Sequence, residues 1–110
     1  MKRPALSALI TVACLAIAAP AAAQAAKDMY TRALAQERGV RDESSKPTLA
    51  GMRRAIAAYE AVVRRHPASG YSDNALWQAA NLASLAYERF GDEKDRKTAD
   101  DRSDFAIVAI

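Results

Sequence analysis

From Leu49 to Arg65 the apolar residues recur at alternating spacings of three and four, through Leu49, Met52, Ile56, Tyr59 and Val63 to His66, with Ala55 and Val62 widening the stripe. This spacing predicts a helix with one face committed to burial. Arg53, Arg54, Glu60, Arg64 and Arg65 fall mostly off the stripe, and the last two suit the negative end of the helix dipole. Thr48 is placed to cap the start. Pro67 ends the helix, because proline lacks an amide hydrogen and restricts the residue before it.

Two more helical stretches flank this one. From Ala25 to about Asp42, Tyr30, Ala33, Leu34 and Val40 lie close to one face, while Lys27, Asp28, Arg32, Gln36 and Arg38 lie mostly on the others. Glu43-Ser44-Ser45-Lys46-Pro47 reads as the loop that follows. Beyond the turn Ala68-Ser69-Gly70-Tyr71, with Ser72 or Asp73 as the expected cap, a third helix runs to about Phe90. Its broad apolar arc includes Ala75, Ala79, Leu82, Ala86 and Phe90, and Gly91 follows as a helix-ending residue. Asp92 to Ala99 has the composition of a short fourth helix but offers almost no apolar face. Residues 100–110 pass from a polar run to the apolar Phe105-Ala106-Ile107-Val108-Ala109-Ile110, which predicts an irregular tail with a tendency to strand or aggregation.

The first 23 residues have a different pattern. Lys2 and Arg3 precede an apolar run from Ala5 to Ala19, then Pro20 and Ala21-Ala22-Ala23, the layout of a secretory signal cut before Gln24. The run is shorter than the roughly 20 residues of a membrane span. An uncleaved anchor is the alternative. Ala13-Cys14 resembles a lipidation site, but Thr11 stands where such a site usually has leucine, and the apolar run continues to Ile17. A plain signal leaves the remaining chain without cysteine, hence without disulfide or thiol chemistry. Its expected home is the periplasm or the medium.

Charge then loses most of its meaning. Of 16 basic and 13 acidic residues, residues 1–23 hold two basic and no acidic ones, so the rest carries 14 against 13. That balance gives no electrostatic argument for nucleic acid or anionic lipid.

Ala55, Tyr59, Val62 and Pro67 stand at offsets 0, 4, 7 and 12. This series resembles the second helix of a tetratricopeptide repeat, and Tyr71, Asp73-Asn74-Ala75-Leu76 and Ala79-Ala80 resemble the first helix of the next unit. The likeness is greatest to the bacterial envelope branch, including outer-membrane assembly lipoproteins and the periplasmic coordinator of the Tol-Pal system. It implies an all-α array of antiparallel helix-turn-helix units over residues 24–99. Two departures are visible. The third helix carries about one extra turn before Gly91, and the second repeat lacks its aromatic and proline positions, so the solenoid reads as incomplete. A fragment, or a chain that finishes its core against a partner or a second copy, is the expectation.

The run Arg54 to Glu60 together with Ser69 to Gln78 also resembles the repeat region that precedes the catalytic domain of some secreted N-acetylmuramoyl-L-alanine amidases. That likeness would make the chain the accessory region of a peptidoglycan hydrolase. Such amidases hold zinc with histidines and glutamates, and this chain has His66 alone. No nucleophilic triad, phosphate loop or metal-ligand spacing is present, so neither catalysis nor a cofactor is expected.

Protein–protein interaction in the envelope is the function these patterns suggest. Trp77, Asn81, Ser84 and Glu88, spaced four, three and four, align on one stripe of the third helix. The repeat resemblance implies that this stripe lines a peptide-holding surface, and tryptophan with two hydrogen-bonding neighbours suits that use. The plainer expectation, and the one the pattern favours, packs Trp77 against a neighbouring helix with the polar three in water. For Arg53-Arg54 and Arg64-Arg65, a solvated face with Glu60 paired to Arg64 is expected rather than an anion-reading patch.

Overall fold

The computed structural model describes the backbone of residues 3–109 and the side chains of residues 20–104. Four helices follow one another: α1 (Arg3–Arg41), α2 (Leu49–Arg65), α3 (Ser72–Phe90) and α4 (Glu93–Ala109), with a 3-10 turn at Glu43–Ser45 between the first two. Each packs on its neighbour in sequence, α1 on α2, α2 on α3 and α3 on α4. The short connections turn the chain back each time, which gives the all-α, repeat-like antiparallel array expected from the periodicity.

Local chemistry sets the boundaries of α2. Thr48 is in extended conformation and its hydroxyl accepts from the Gly51 amide at 3.0 Å, satisfying one of the donors a helix start leaves open. At the other end the His66 amide closes the last turn on the Val62 carbonyl, and Pro67 prevents another turn. Gly91, at φ +72°, ends α3 in the left-handed conformation that costs glycine little.

The core lies along the α2–α3 seam. Met52, Ala55, Tyr59 and Val62 from α2 meet Ala75, Ala79, Leu82 and Ala86 from α3. Alanine at so many seam positions lets the two backbones approach closely, and the larger fully buried side chains Met52, Tyr59, Val62 and Leu82 fill the space between. Burying Met52 and Leu82 contributes about 1.5–3 kcal/mol each. Ala26, Ala33 and Glu37 are the buried positions of α1 among the described side chains.

Three boundaries differ from expectation. α1 starts at Arg3 rather than near Ala25 and runs through Pro20; alanine-rich sequence favours helix strongly enough to carry the backbone across that residue. The side chains of the apolar run and of Cys14 lie outside the described residues. At α3 neither Ser72 nor Asp73 caps: Tyr71 occupies the cap position without a side-chain bond, and Ser72 is already helical and buried. Finally, α4 reaches Ala109, so residues 100–109 are helical where an irregular tail was expected. Docking on α3 supplies α4 with tertiary support that its own periodicity does not advertise. The side chains of Phe105 to Ile110 lie outside the described residues.

Candidate partner-binding surface

α3 presents two opposite stripes. The inner one, Ala75, Ala79, Leu82 and Ala86, is buried in the seam. The outer one carries Trp77, Asn81, Ser84 and Glu88, of which Asn81 is half-buried and the other three are exposed. Trp77 is 56 % exposed. The expectation that it packs against a neighbouring helix is therefore not met, and the four residues lie in one line along the outer face of a helix whose inner face is fixed.

The helix bearing this stripe is held at both flanks. Arg89 near its C-terminal end donates to the Val40 carbonyl at 3.1 Å and stands 3.6 Å from Glu43, tying α3 to the end of α1. Near its start, the Tyr71 ring lies 5.3 Å from that of Tyr30, which is 5.9 Å from Tyr59. These rings fill the angle between α1, α2 and the α2–α3 turn.

Beneath the rings is a polar contact the sequence reading missed. The Tyr59 hydroxyl donates to the Glu37 carboxylate, whose other oxygen accepts from Arg41. Burial raises the phenol's pKa above its ordinary value, and the neighbouring carboxylate pushes it the same way. The signal was present: Tyr30, Ala33 and Glu37 share the spacing of α1's buried face, so a carboxylate there announces a buried partner.

The second missed feature is charge pairing across α2 and α4. Arg53 donates to Asp95 at 2.8 and 3.1 Å and to Asp92 at 2.9 Å. Glu60 accepts from Arg102 at 2.7 Å, so it does not serve Arg64 as expected. The Asp95 and Asp92 hydrogen bonds raise the Arg53 pKa, and Asp92 is lowered first by the Lys94 amide and then by Arg53. Arg54, Arg64 and Arg65 remain exposed, in keeping with a solvated face.

Among the described residues no three His, Cys, Asp or Glu side chains converge in a way that would hold a metal ion. Nor, among them, is any helix long and apolar enough to cross a membrane. No protein-family model, curated protein or solved structure matches the chain.

Proposed function

We propose that this chain is an exported helical-repeat module of the tetratricopeptide type that binds a protein partner in the bacterial envelope. The observation that carries the reading is the exposure of Trp77 on the outer stripe of α3, in line with Asn81, Ser84 and Glu88. A large aromatic left more than half in water, on a helix whose other face is locked into a core, leaves apolar area that the fold does not bury. Such residues, surrounded by hydrogen-bonding groups, make effective contact anchors. The export part rests on the signal-like layout of residues 2–23.

The experiment compares the natural chain with a Trp77→Ala, Asn81→Ala variant as baits in envelope extract, with captured proteins identified by mass. The reading requires a specific partner that the variant loses while its helix content stays unchanged. Equal capture by both baits removes the stripe from consideration. Export is tested separately, by mass spectrometry of the protein from its native compartment, which should give an N-terminus near Gln24.

A further inference from the structure

The inner face of α4 is unlike those of α2 and α3. Among its described side chains, the positions that face its neighbours are Asp95, Thr98, Ala99, Arg102 and Ser103, with Ala99 the one apolar residue of these five. Asp95 is 3 % and Ala99 5 % exposed, and they are the buried positions of α4 among its described side chains. Close backbone contact is with α3. Towards α2 the described contacts are made by long charged side chains. Beside them lie two clefts open to solvent, one of about 170 Å³ between α2 and α4 lined by Ile56 and one of about 250 Å³ among α2, α3 and α4 lined by Val63 and Leu76.

Those charged contacts form a register. Arg53 and Glu60 stand seven residues apart on one face of α2, about 10 Å along the axis, and Asp95 and Arg102 stand seven apart on one face of α4. Both pairs are separated by 42 residues. The order is positive then negative on α2, and negative then positive on α4, as two parallel helices require. An acidic residue followed by alanine at the fourth position and arginine at the seventh occurs once in the chain, at Asp95, Ala99 and Arg102. The seat on α2 and α3 therefore recognises residues 93–104 of α4 by charge order and a small residue.

From this we infer that α4 is an exchangeable helix and that its seat is an interaction surface for the α4 of a second copy of this chain, giving a reciprocal dimer. Exchange re-forms the two α2–α4 pairs, Arg53 to Asp95 and Glu60 to Arg102, across copies instead of within one, the hinge residue Asp92 alone giving up its bond to Arg53. Re-forming contacts in this way is why swapping is a low-cost route to dimers. The hinge is Gly91-Asp92, the two residues between α3 and α4. A glycine at φ +72° can take up the extended geometry that leads α4 away from its own seat. The inference is independent of export and of the Trp77 stripe.

Charge reversal tests it in the full chain. One variant carries a reversed seat, Arg53→Glu with Glu60→Arg, and the other a reversed helix, Asp95→Arg with Arg102→Glu. A control combines all four changes in one chain. Amide hydrogen exchange over residues 93–104 reports seating, and native mass spectrometry reports hetero-association. Each variant alone is expected to lose α4 protection by about tenfold or more, as befits loss of charge-assisted hydrogen bonds. The control should recover it, and a 1:1 mixture of the two variants should recover it too while forming a heterodimer. Full protection in the separate variants means charge does not seat α4. Failure of the control to recover means the register is not a code. Recovery in the control but not in the mixture means α4 stays with its own chain. Any of these three outcomes overturns the inference.

Discussion

The hydroxyl of Tyr59 on α2 donates to the carboxylate of Glu37 on α1, with the tyrosine fully buried and the glutamate 8 % exposed. It is the polar contact that joins the first two helices inside their apolar seam. Tyr59→Phe keeps the ring and its packing against Tyr30 but leaves one Glu37 oxygen without a donor. The expected cost is about 1–3 kcal/mol, read by urea denaturation. Glu37→Leu in the Tyr59→Phe background should recover part of it, since the orphaned carboxylate is then gone. A Tyr59→Phe variant as stable as the natural chain contradicts the assignment.

The same pair sets an alkaline limit. Burial holds the folded-state pKa of Tyr59 above the ordinary 10.0, so below pH 10 both folded and unfolded phenols are protonated and this contribution is fully present. Above pH 10 the unfolded tyrosine ionises while the folded one resists, and stability falls as pH rises. Thermal unfolding measured between pH 8 and pH 11 should show a steeper alkaline decline for the natural chain than for Tyr59→Phe.

How much of this was legible in the sequence differs by element. α2 was legible from Thr48 to Pro67, because its stripe, cap and stop agree with one another and each acts locally. The α3 span was legible from its stripe and from Gly91 at its end, although its expected cap was not the residue that occupies that position. The spacing of Glu37 with Tyr30 and Ala33 marks it as buried, but its partner Tyr59 and the full length and seating of α4 were not legible, because they depend on contacts far along the chain. Asp95 looks like one charge in a mixed run until Arg53, 42 residues away, is brought to it. Trp77 was misplaced because helical periodicity says which residues share a face but not whether another helix covers it.

Asp92 gives an acid limit of its own. The Lys94 amide, at 3.0 Å, and then Arg53 lower its pKa below the ordinary 3.8. The stability this carboxylate contributes is present above pH 3.8 and lost as pH falls through its lower folded value. Protection of α4 amides should therefore be flat from pH 5 to 8 and drop below about pH 4, with a shallower drop for Asp92→Asn. High salt at neutral pH should speed exchange in α4 more than in α2, since the described contacts of α4 with α2 are ion pairs while α2 is held by its apolar stripe.

Gly39 and Gly91 predict opposite responses to one substitution. Neither has a neighbour within 4 Å of where a Cβ would lie, so backbone conformation alone decides. Gly39 is inside α1, and Gly39→Ala should stabilise by about 0.5–1 kcal/mol. Gly91 sits at φ +72°, and Gly91→Ala should destabilise by about 1–2 kcal/mol. Chemical denaturation of the two variants side by side checks the signs, and a stabilised Gly91→Ala would contradict the left-handed cap.

Trp77 is the chain's single tryptophan, and its position makes it a reporter of binding rather than of folding. Because the side chain is already 56 % exposed in the folded state, its emission should be red-shifted and water-like in the free protein and move little through a denaturant transition that circular dichroism follows clearly. Trp77→Ala should change stability by no more than about 0.5 kcal/mol, as surface substitutions usually do. A partner seated on the α3 stripe must desolvate the indole, so binding should shift its emission to the blue, and Asn81→Ala should weaken that response without altering the free spectrum. A blue-shifted emission from the free chain would place Trp77 in a packed environment and withdraw the stripe as a binding surface.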